Sequence, residues 1–299
     1  MVARIVSGMK RAGQIALTAQ FVKGVGRFRA GRYFLRRLQT LPLTRSLYAG
    51  LVGYRRPFAS LEEAESAVSR YAHGGHEHPQ NVRNHLGMYS LARPSDYAAL
   101  FYIRPILPNV SRVFDLGGNA GNLFYSYSNY LSWPDGLTWQ VLDLPENMTV
   151  GETIAKERGA YQLQFTGEWK DADGADLLIV SGSLHYLHRP LSEMIGELSE
   201  KPAYILINRT PMTDGTPVAT IQDLGIFRVA CMLHNKAQVI RELEQVDYVV
   251  VDEWKALELS LDIPGYPEHS IPSYTGIFLR RKDVSGPEVR MSTEDRAAI

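Results

Sequence analysis

The sequence has one cysteine and no long apolar run. The lone thiol of Cys231 can form neither an internal disulfide nor a thiolate metal cage, and we interpret it as a small buried residue rather than a nucleophile. No stretch reaches the roughly 18 apolar residues that a membrane-spanning helix requires. Residues 1–22 also lack the uninterrupted apolar segment and the cleavage site of a signal peptide. We therefore expect a cytoplasmic protein.

The beginning of the chain has no acidic residue. Residues 1–61 contain 12 lysines and arginines, and the first acid is Glu62, although the net charge of the whole chain is zero. Apolar residues are interleaved with these cations, so we assign residues 1–58 to a basic helical extension. Breaks in this extension are predicted at Gly24, Gly26, Gly31 and Pro42. The extension packs on the rest of the chain, binds a partner, or makes peripheral contact with an anionic membrane at its inner face. Nucleic acid attracts the same charges, but we expect no nucleic-acid partner.

Several motifs of other enzyme classes are missing. No nucleophile elbow, no Walker loop and no His-Glu-x-x-His motif occurs, which disfavours hydrolases. A local patch of histidines has the side chains to bind a metal, but its flanking glycines and proline are typical of a loop. The patch comprises His73, His76, Glu77, His78 and His85. We predict no metal site.

From about residue 96 onward, apolar strands alternate with amphipathic helices. This alternation predicts an α/β domain over residues 59–283, with a mostly parallel sheet and helices on both faces, followed by a polar tail at 284–299. Strands are predicted at 112–116, 137–142, 162–166, 176–181, 203–208, 248–254 and 275–280. Helices are predicted at 60–71, 96–107, 121–131, 147–158, 190–198 and 236–244, and a long connection at 211–234. The seven strands end in a hairpin-like pair, which a plain dinucleotide-binding fold does not have.

The strongest functional signal is a glycine-rich bend after the first strand. Asp115 and Leu116 end that strand, and Gly117, Gly118 and Gly121 lead into the next helix. Glycines there let a ligand lie against bare backbone and oriented amides. Leu116 stands where a dinucleotide fingerprint requires glycine. Asp115 would repel a diphosphate and attract the cationic, amine-bearing end of S-adenosylmethionine. The bend therefore predicts an S-adenosylmethionine site.

Two further segments complete the predicted cofactor site. Asp143 ends the second strand 22 positions after Gly121, close to the spacing at which a carboxylate accepts ribose hydroxyls. Leu144, next in the chain, could flank the adenine. Ser181 and Gly182 end the fourth strand, where small residues admit the methionine moiety. The structural alternative is a tight packing turn with a surface acid.

His185 and Arg209 are the predicted catalytic residues. His185 could take a proton from a substrate hydroxyl, because imidazole titrates near neutral pH, or it could be a packing histidine. Arg209 could hold an anionic substrate group bidentately, or form an ion pair that fixes the long connection. Some further polar residues lie in segments that could cover the site as a lid, although the polarity of loops alone would also explain them. These residues of the predicted lid are Asp223, Arg228, His234, Tyr266, His269 and Tyr274.

Three of these segments together resemble a family of uncharacterised bacterial methyltransferases of class I. The motifs are Gly117-Gly118 after Asp115, then residues 181–187, then residues 207–211, and the similarity extends over residues 54–280. Members of this family are often encoded in surface-polysaccharide gene clusters. The resemblance implies a Rossmann-like class I methyltransferase fold and S-adenosylmethionine as the cofactor, and it supplies no methyl acceptor.

Two positions depart from that family. It usually has aspartate where this chain has Asn208, and commonly glutamine where this chain has His185. An aspartate with an obligatory acid-base role could not be replaced by an amide, so position 208 is structural or the chemistry has changed. We predict O- or N-methylation of a small-molecule or glycan-related acceptor. The alternatives are a noncatalytic protein that binds S-adenosylmethionine or a nucleotide, and a nicotinamide-dependent oxidoreductase.

Overall fold

The computed structural model describes residues 22, 24–40, 53–68, 91–223 and 228–285. Its helices are α1 (Arg29–Thr40), α2 (Leu61–Val68), α3 (Pro94–Ile106), α4 (Asn122–Tyr127), α5 (Pro145–Arg158), α6 (Leu191–Gly196) and α7 (Lys236–Gln245). Its strands are β1 (Arg112–Leu116), β2 (Thr138–Leu142), β3 (Leu163–Thr166), β4 (Leu177–Ser181), β5 (Tyr204–Thr210), β6 (Met212–Thr213), β7 (Val218–Asp223), β8 (Arg228–Asn235), β9 (Tyr248–Ala256) and β10 (Tyr274–Arg281). The predicted break at Pro42, the histidine patch and nearly all of the predicted tail lie outside the described residues.

Seven strands form the central sheet in the order β3-β2-β1-β4-β5-β10-β9. The first five are parallel, and β10 is antiparallel to both of its neighbours, β5 and β9. The strand order reverses between the neighbouring strands β1 and β4, which makes this the topological switch point of the sheet. Open α/β sheets bind their ligands at such a point, outside the carboxyl ends of the strands. The Rossmann-like fold class predicted from the sequence is confirmed.

Helices cover both faces of this sheet, so β1, β4 and β5 are buried along nearly their whole length. One face packs against α3, α4 and α5 around the fully buried Trp139 and Tyr127. The other face packs against α6 and α7 through residues such as Ile195 and Leu243. The two apolar cores hold the strands in register and thereby fix where the loops at their carboxyl ends lie.

The predicted long connection at 211–234 is wrong, because this segment forms a second sheet. Three strands pair in the order β6-β8-β7, and residues 54 and 58 add backbone bridges to β7. Phe58 and Leu61 pack with Ala219 and Ile221 on one face of this small sheet. The sequence from 53 to 68 therefore contacts the segment between β5 and α7, although about 150 residues separate them in the chain.

Helix α1 packs on the loop that joins β9 to β10. Leu35 is buried, the Arg36 Nε donates to the Gly265 carbonyl at 2.7 Å, and the Gln39 side chain donates to the Pro264 carbonyl at 2.7 Å. The break predicted at Gly31 is wrong, because α1 runs through it. A Cβ at Gly31 would lie 1.9 Å from the Val25 carbonyl oxygen, so glycine is required there by close backbone contact.

Candidate functional site

The carboxyl ends of β1, β2, β4 and β5 meet at one edge of the sheet, joined by backbone contacts. The Gly117 amide donates to the Leu142 carbonyl at 2.7 Å, and the Gly182 amide donates to the Asn208 carbonyl at 2.9 Å. The Ser183 hydroxyl donates to the Leu116 carbonyl at 2.5 Å. These bonds bring together the three segments that the sequence analysis selected separately.

Asp115 is a buried carboxylic acid, and only one of its two oxygens has a hydrogen-bond partner among the described residues. Its side chain is 1 % exposed, and its Oδ2 accepts a hydrogen bond from the Trp139 indole at 3.2 Å. Its Oδ1 is buried and has no hydrogen-bond partner among the described residues. Burial raises the pKa of Asp115 to about 7; the Trp139 hydrogen bond opposes this shift and the nearby Asp143 carboxylate adds to it. Such a group gains most from a cationic partner, which would favour its ionised form.

The bend after Asp115 has no room for side chains. A Cβ at Gly118 would lie 2.4 Å from the Asp115 Oδ2, and a Cβ at Gly117 would lie 2.3 Å from the Ser183 Cβ. Gly117 also has a φ of 76°, and Gly121 has a φ of 84°, in the left-handed region that favours glycine. The glycines therefore let the bend close onto Asp115 and onto the turn after β4.

Asp143 makes contacts that the sequence analysis did not predict. Its carboxylate accepts hydrogen bonds from the Asn119 amide at 2.8 Å, the Leu144 amide at 2.7 Å and the Asn147 side chain at 2.5 Å. It therefore ties the glycine bend to the beginning of α5. A carboxylate has about four acceptor positions, so three bonds leave one of them for a ligand hydroxyl. Leu144 is 39 % exposed beside it.

Ser181 and Gly182 lie at the predicted place, where β4 ends. Gly182 has a φ of 76°, and apart from its two chain neighbours no described residue has an atom within 4 Å of where its Cβ would be. The Ser181 hydroxyl accepts a hydrogen bond from the Arg209 guanidinium at 2.9 Å. The space beside Gly182 and the small side chain of Ser181 leave this edge open to a ligand.

Arg209 is engaged by a carboxylate of its own chain. Its Nη1 lies 3.1 Å from the Asp96 Oδ2, and both side chains are almost fully buried. Its φ of 51° falls in the left-handed region, at the point where the register between β5 and β10 shifts. Asp96 also accepts from the Tyr127 hydroxyl at 3.0 Å. This ion pair fixes the first turn of α3 to the end of β5.

Asn208 uses both ends of its amide. Its Oδ1 accepts from the Arg209 backbone amide at 3.0 Å and from the Trp254 indole at 3.1 Å. Its Nδ2 donates to the Ser95 carbonyl and to the Asp96 Oδ1, both at 3.4 Å. An aspartate could not donate these two bonds and would lie against the Asp96 carboxylate. The contacts therefore favour the structural role of position 208.

His185 lies in the 3-10 turn Leu184–Tyr186, two residues beyond Ser183. It is buried, its ring centroid is 4.0 Å from that of Tyr186, and it is 6.1 Å from that of Tyr274. Tyr274 belongs to the predicted lid. The predicted base is thus surrounded by aromatic side chains at the edge of the site.

Other predicted lid residues have contacts of their own. Asp223 is buried between Arg55 at 2.7 Å and Arg228 at 2.9 Å. His234 is largely buried, and burial lowers its pKa to about 4, so its imidazole is neutral near pH 7. Burial also raises the pKa of the Cys231 thiol to about 12, as expected for an unreactive buried cysteine.

Two polar residues at this edge, Asp96 and Asn147, were not predicted from the sequence. Asp96 gave no signal, because its partners Tyr127 and Arg209 are distant in sequence. Asn147 is buried, and its Oδ1 has no hydrogen-bond partner among the described residues. Its position four residues after Asp143 was a detectable signal, since such residues are neighbours around a helical turn.

The chain is similar to solved methyltransferase structures, whereas no family model and no curated protein matches it. It is 17 % identical to the 1,6-didemethyltoxoflavin-N1-methyltransferase of Burkholderia thailandensis, solved with 1,6-didemethyltoxoflavin and S-adenosylhomocysteine, over 78 % of this chain and 95 % of that chain, with a TM-score of 0.47. It is 16 % identical to a mitomycin 7-O-methyltransferase over 85 % of this chain and 73 % of that chain, with a TM-score of 0.42. An S-adenosylmethionine-dependent methyltransferase from Clostridium acetobutylicum is 10 % identical over 64 % of this chain and 92 % of that chain, with a TM-score of 0.41. The family resemblance and its link to surface polysaccharides stay predictions.

Proposed function

We propose that this chain is a methyltransferase that uses S-adenosylmethionine to methylate an oxygen or nitrogen of a small-molecule or glycan-related acceptor. The buried Asp115 carboxyl carries the proposal, because its Oδ1 has no hydrogen-bond partner among the described residues and lies beside a bend closed by Gly117 and Gly118. A buried carboxyl of this kind fits a cationic ligand and opposes a diphosphate.

The residues at the edge of the sheet fit S-adenosylmethionine. Asp115 would hold its amine-bearing end, Asp143 has one acceptor position left for a ribose hydroxyl, and Leu144 offers an exposed apolar surface for adenine. Ser181 and Gly182 leave space for the methionine moiety. When bound, S-adenosylmethionine supplies a methyl group that is already activated on sulfur, so the protein contributes mainly positioning and exclusion of water.

His185 is our proposed base for an oxygen acceptor. It follows Ser183 by two residues, is buried and packs against the Tyr186 ring, and imidazole is the side chain that most often accepts a proton from a substrate hydroxyl. For Arg209 the buried bond to Asp96 favours a positioning role, in which the guanidinium holds the Ser181 hydroxyl and α3 in place.

Calorimetric titration of the full chain tests the cofactor assignment. We expect heat with S-adenosylmethionine and with S-adenosylhomocysteine, and none with a nicotinamide dinucleotide. Uptake of the dinucleotide alone would overturn the proposal in favour of an oxidoreductase. A turnover assay with polysaccharide precursors then separates an enzyme from a noncatalytic binding protein. If His185→Ala leaves the rate and its pH profile intact, His185 is not the base.

We also propose that the basic extension makes peripheral contact with an anionic membrane through the outer face of α1. Leu35 and Gln39 face the protein, whereas Phe28, Tyr33 and Phe34 are 70 %, 62 % and 57 % exposed in a segment without acids. Exposed aromatic rings among arginines are typical of helices that lie in the lipid interface. Among the described residues, no helix is long and apolar enough to cross a bilayer.

Vesicle flotation tests this contact. We expect the chain to float with vesicles that contain about one third phosphatidylserine and not with neutral vesicles, because the attraction is electrostatic. Tyr33→Ser with Phe34→Ser should weaken flotation by about tenfold. Tyr161→Ser is the matched control, since Tyr161 is 90 % exposed outside the extension. Equal flotation of both variants would refute the contact.

A further inference from the structure

A chain of three tyrosine hydroxyls lies between the small sheet and the turn after β4. The Tyr186 hydroxyl donates to the Gln222 Oε1 at 2.6 Å, and the Gln222 Nε2 donates to the Tyr54 hydroxyl at 3.3 Å. The Tyr54 and Tyr274 oxygens are 2.5 Å apart. The chain of contacts begins next to His185 and ends at the first residue of β10, so both of its ends lie near the proposed base.

This network has one more hydroxyl proton than it has acceptors for those protons. Only one hydroxyl proton can lie between the Tyr54 and Tyr274 oxygens, and the Tyr54 oxygen already accepts from Gln222. Whichever tyrosine donates to the other, the second hydroxyl proton has no acceptor among the described residues. A buried donor without a partner is costly, so it is a natural contact for an oxygen of a ligand.

The tyrosines are neutral donors. Burial, and after it the neighbouring Cys231 thiol, raises the pKa of Tyr54, and burial together with Tyr54 raises the pKa of Tyr274. Neither hydroxyl therefore ionises near pH 7, and each keeps its proton for donation.

The surroundings of the pair distinguish an uncharged partner from an anion. Arg55 and Arg228 both bond to Asp223, and side chains of successive strand residues point to opposite faces. Tyr54 and Gln222 lie on the other face of the small sheet, where the contacts are hydroxyl, amide and aromatic groups. The described partners of Tyr54 and Tyr274 include no cation, so none of them would compensate an anion for its loss of water.

The tyrosine network begins close to the proposed cofactor site. Ser183 touches the glycine bend at Gly117, and Tyr186 follows it by three residues, a separation of at most about 11 Å between Cα atoms. We propose that Tyr54 and Tyr274 form the acceptor-binding pair of this enzyme and donate one hydrogen bond to an uncharged hydroxyl or carbonyl oxygen of the methyl acceptor. This inference rests on the proposed function and adds the substrate class to it.

Binding of simple probes to the full chain saturated with S-adenosylhomocysteine tests the pair. Methyl glucopyranoside and benzamide supply neutral oxygens, and methyl glucopyranosiduronate and benzoate are their anionic counterparts. We expect at least one neutral probe to bind more tightly than its anion in a saturation-transfer titration. The double variant Tyr54→Phe with Tyr274→Phe should lose about tenfold in affinity for that probe and lose the preference for the neutral form. One single variant should reproduce the loss and thereby identify the donor.

Tyr248→Phe is the matched control, because the buried Tyr248 hydroxyl donates to the Pro202 carbonyl at the opposite edge of the sheet. It should leave probe affinity unchanged. Unchanged S-adenosylhomocysteine binding by the double variant shows that it is folded. The inference is overturned if that variant binds the probe like the parent, if the anionic probes bind more tightly, or if the loaded parent binds no neutral probe. Failure of the parent to bind S-adenosylhomocysteine would instead refute the proposed function.

Discussion

Replacement of Asp115 by asparagine should stabilise the ligand-free protein at neutral pH and abolish the attraction for S-adenosylmethionine. Burial is the main reason that the pKa of Asp115 rises from 3.8 to about 7. A carboxyl of this kind keeps its proton in the folded chain at a pH where the unfolded chain has lost it. The contribution of Asp115 to the free energy of unfolding is therefore fully present below pH 3.8 and is lost as the pH rises through about 7.

The size of the effect follows from that shift. Between pH 5 and pH 7.5 the free energy of unfolding should fall by about 2.5 kcal/mol on account of this one group. Asparagine has no proton to lose, so Asp115→Asn should lack this part of the pH dependence. The ionised carboxylate is also the form that attracts a cation, so the affinity of the parent for S-adenosylmethionine should rise about eightfold between pH 6 and pH 7.5.

Two measurements check this reasoning. Urea unfolding of the parent and of Asp115→Asn at pH 5 and pH 7.5 gives the difference in stability. Calorimetry at pH 6 and pH 7.5 gives the affinity for S-adenosylmethionine. The matched control is Asp171→Asn. The Asp171 carboxylate accepts a hydrogen bond of 2.5 Å from the Thr166 hydroxyl, and neither residue belongs to the glycine bend. If both proteins lose stability equally between pH 5 and pH 7.5, or if Asp115→Asn binds S-adenosylmethionine as the parent does, Asp115 does not have the proposed role.

Three further substitutions test the rest of the site. Gly118→Ala should cost about 1–3 kcal/mol of stability and at least tenfold in cofactor affinity, because its Cβ would displace the Asp115 carboxyl; calorimetry showing normal affinity would contradict this. Asn208→Asp should cost about 2–4 kcal/mol in a denaturant titration, because it removes two donors and faces the Asp96 carboxylate, and an unchanged midpoint would disagree. Arg209→Leu should cost about 3–5 kcal/mol, and addition of Asp96→Asn should restore part of it; a double variant less stable than the single one would argue against the ion pair.

The central sheet could be predicted from the sequence because its strands are apolar runs bounded by turns. β1 was predicted with its observed bounds, and the other six strands of that sheet within about two residues at each end. The glycine bend could be predicted for a related reason, since the positive φ angles of Gly117 and Gly121 favour glycine over every other residue.

The small sheet and the partner in the Arg209 ion pair could not be predicted in the same way. The strand β7 is stabilised by bridges to residues 54 and 58, and no local pattern announces a partner so distant in the chain. The bond between Asp96 and Arg209 joins residues 113 positions apart, and it depends on a register shift between β5 and β10. A single sequence shows both residues of such a pair, but it does not show that folding brings them together.

The small sheet is inserted between β5 and α7 with very short connections at both of its ends. Its first strand, β6, follows β5 after one residue, and its last strand, β8, runs beside β6 and leads directly into α7. Entry and exit are therefore neighbours, so the whole hairpin can lengthen, shorten or change its sequence without moving β5 or α7. Descendants of such a chain could therefore exchange the strands that pack beside the proposed acceptor-binding pair, while the residues proposed to hold the methyl donor stay as they are.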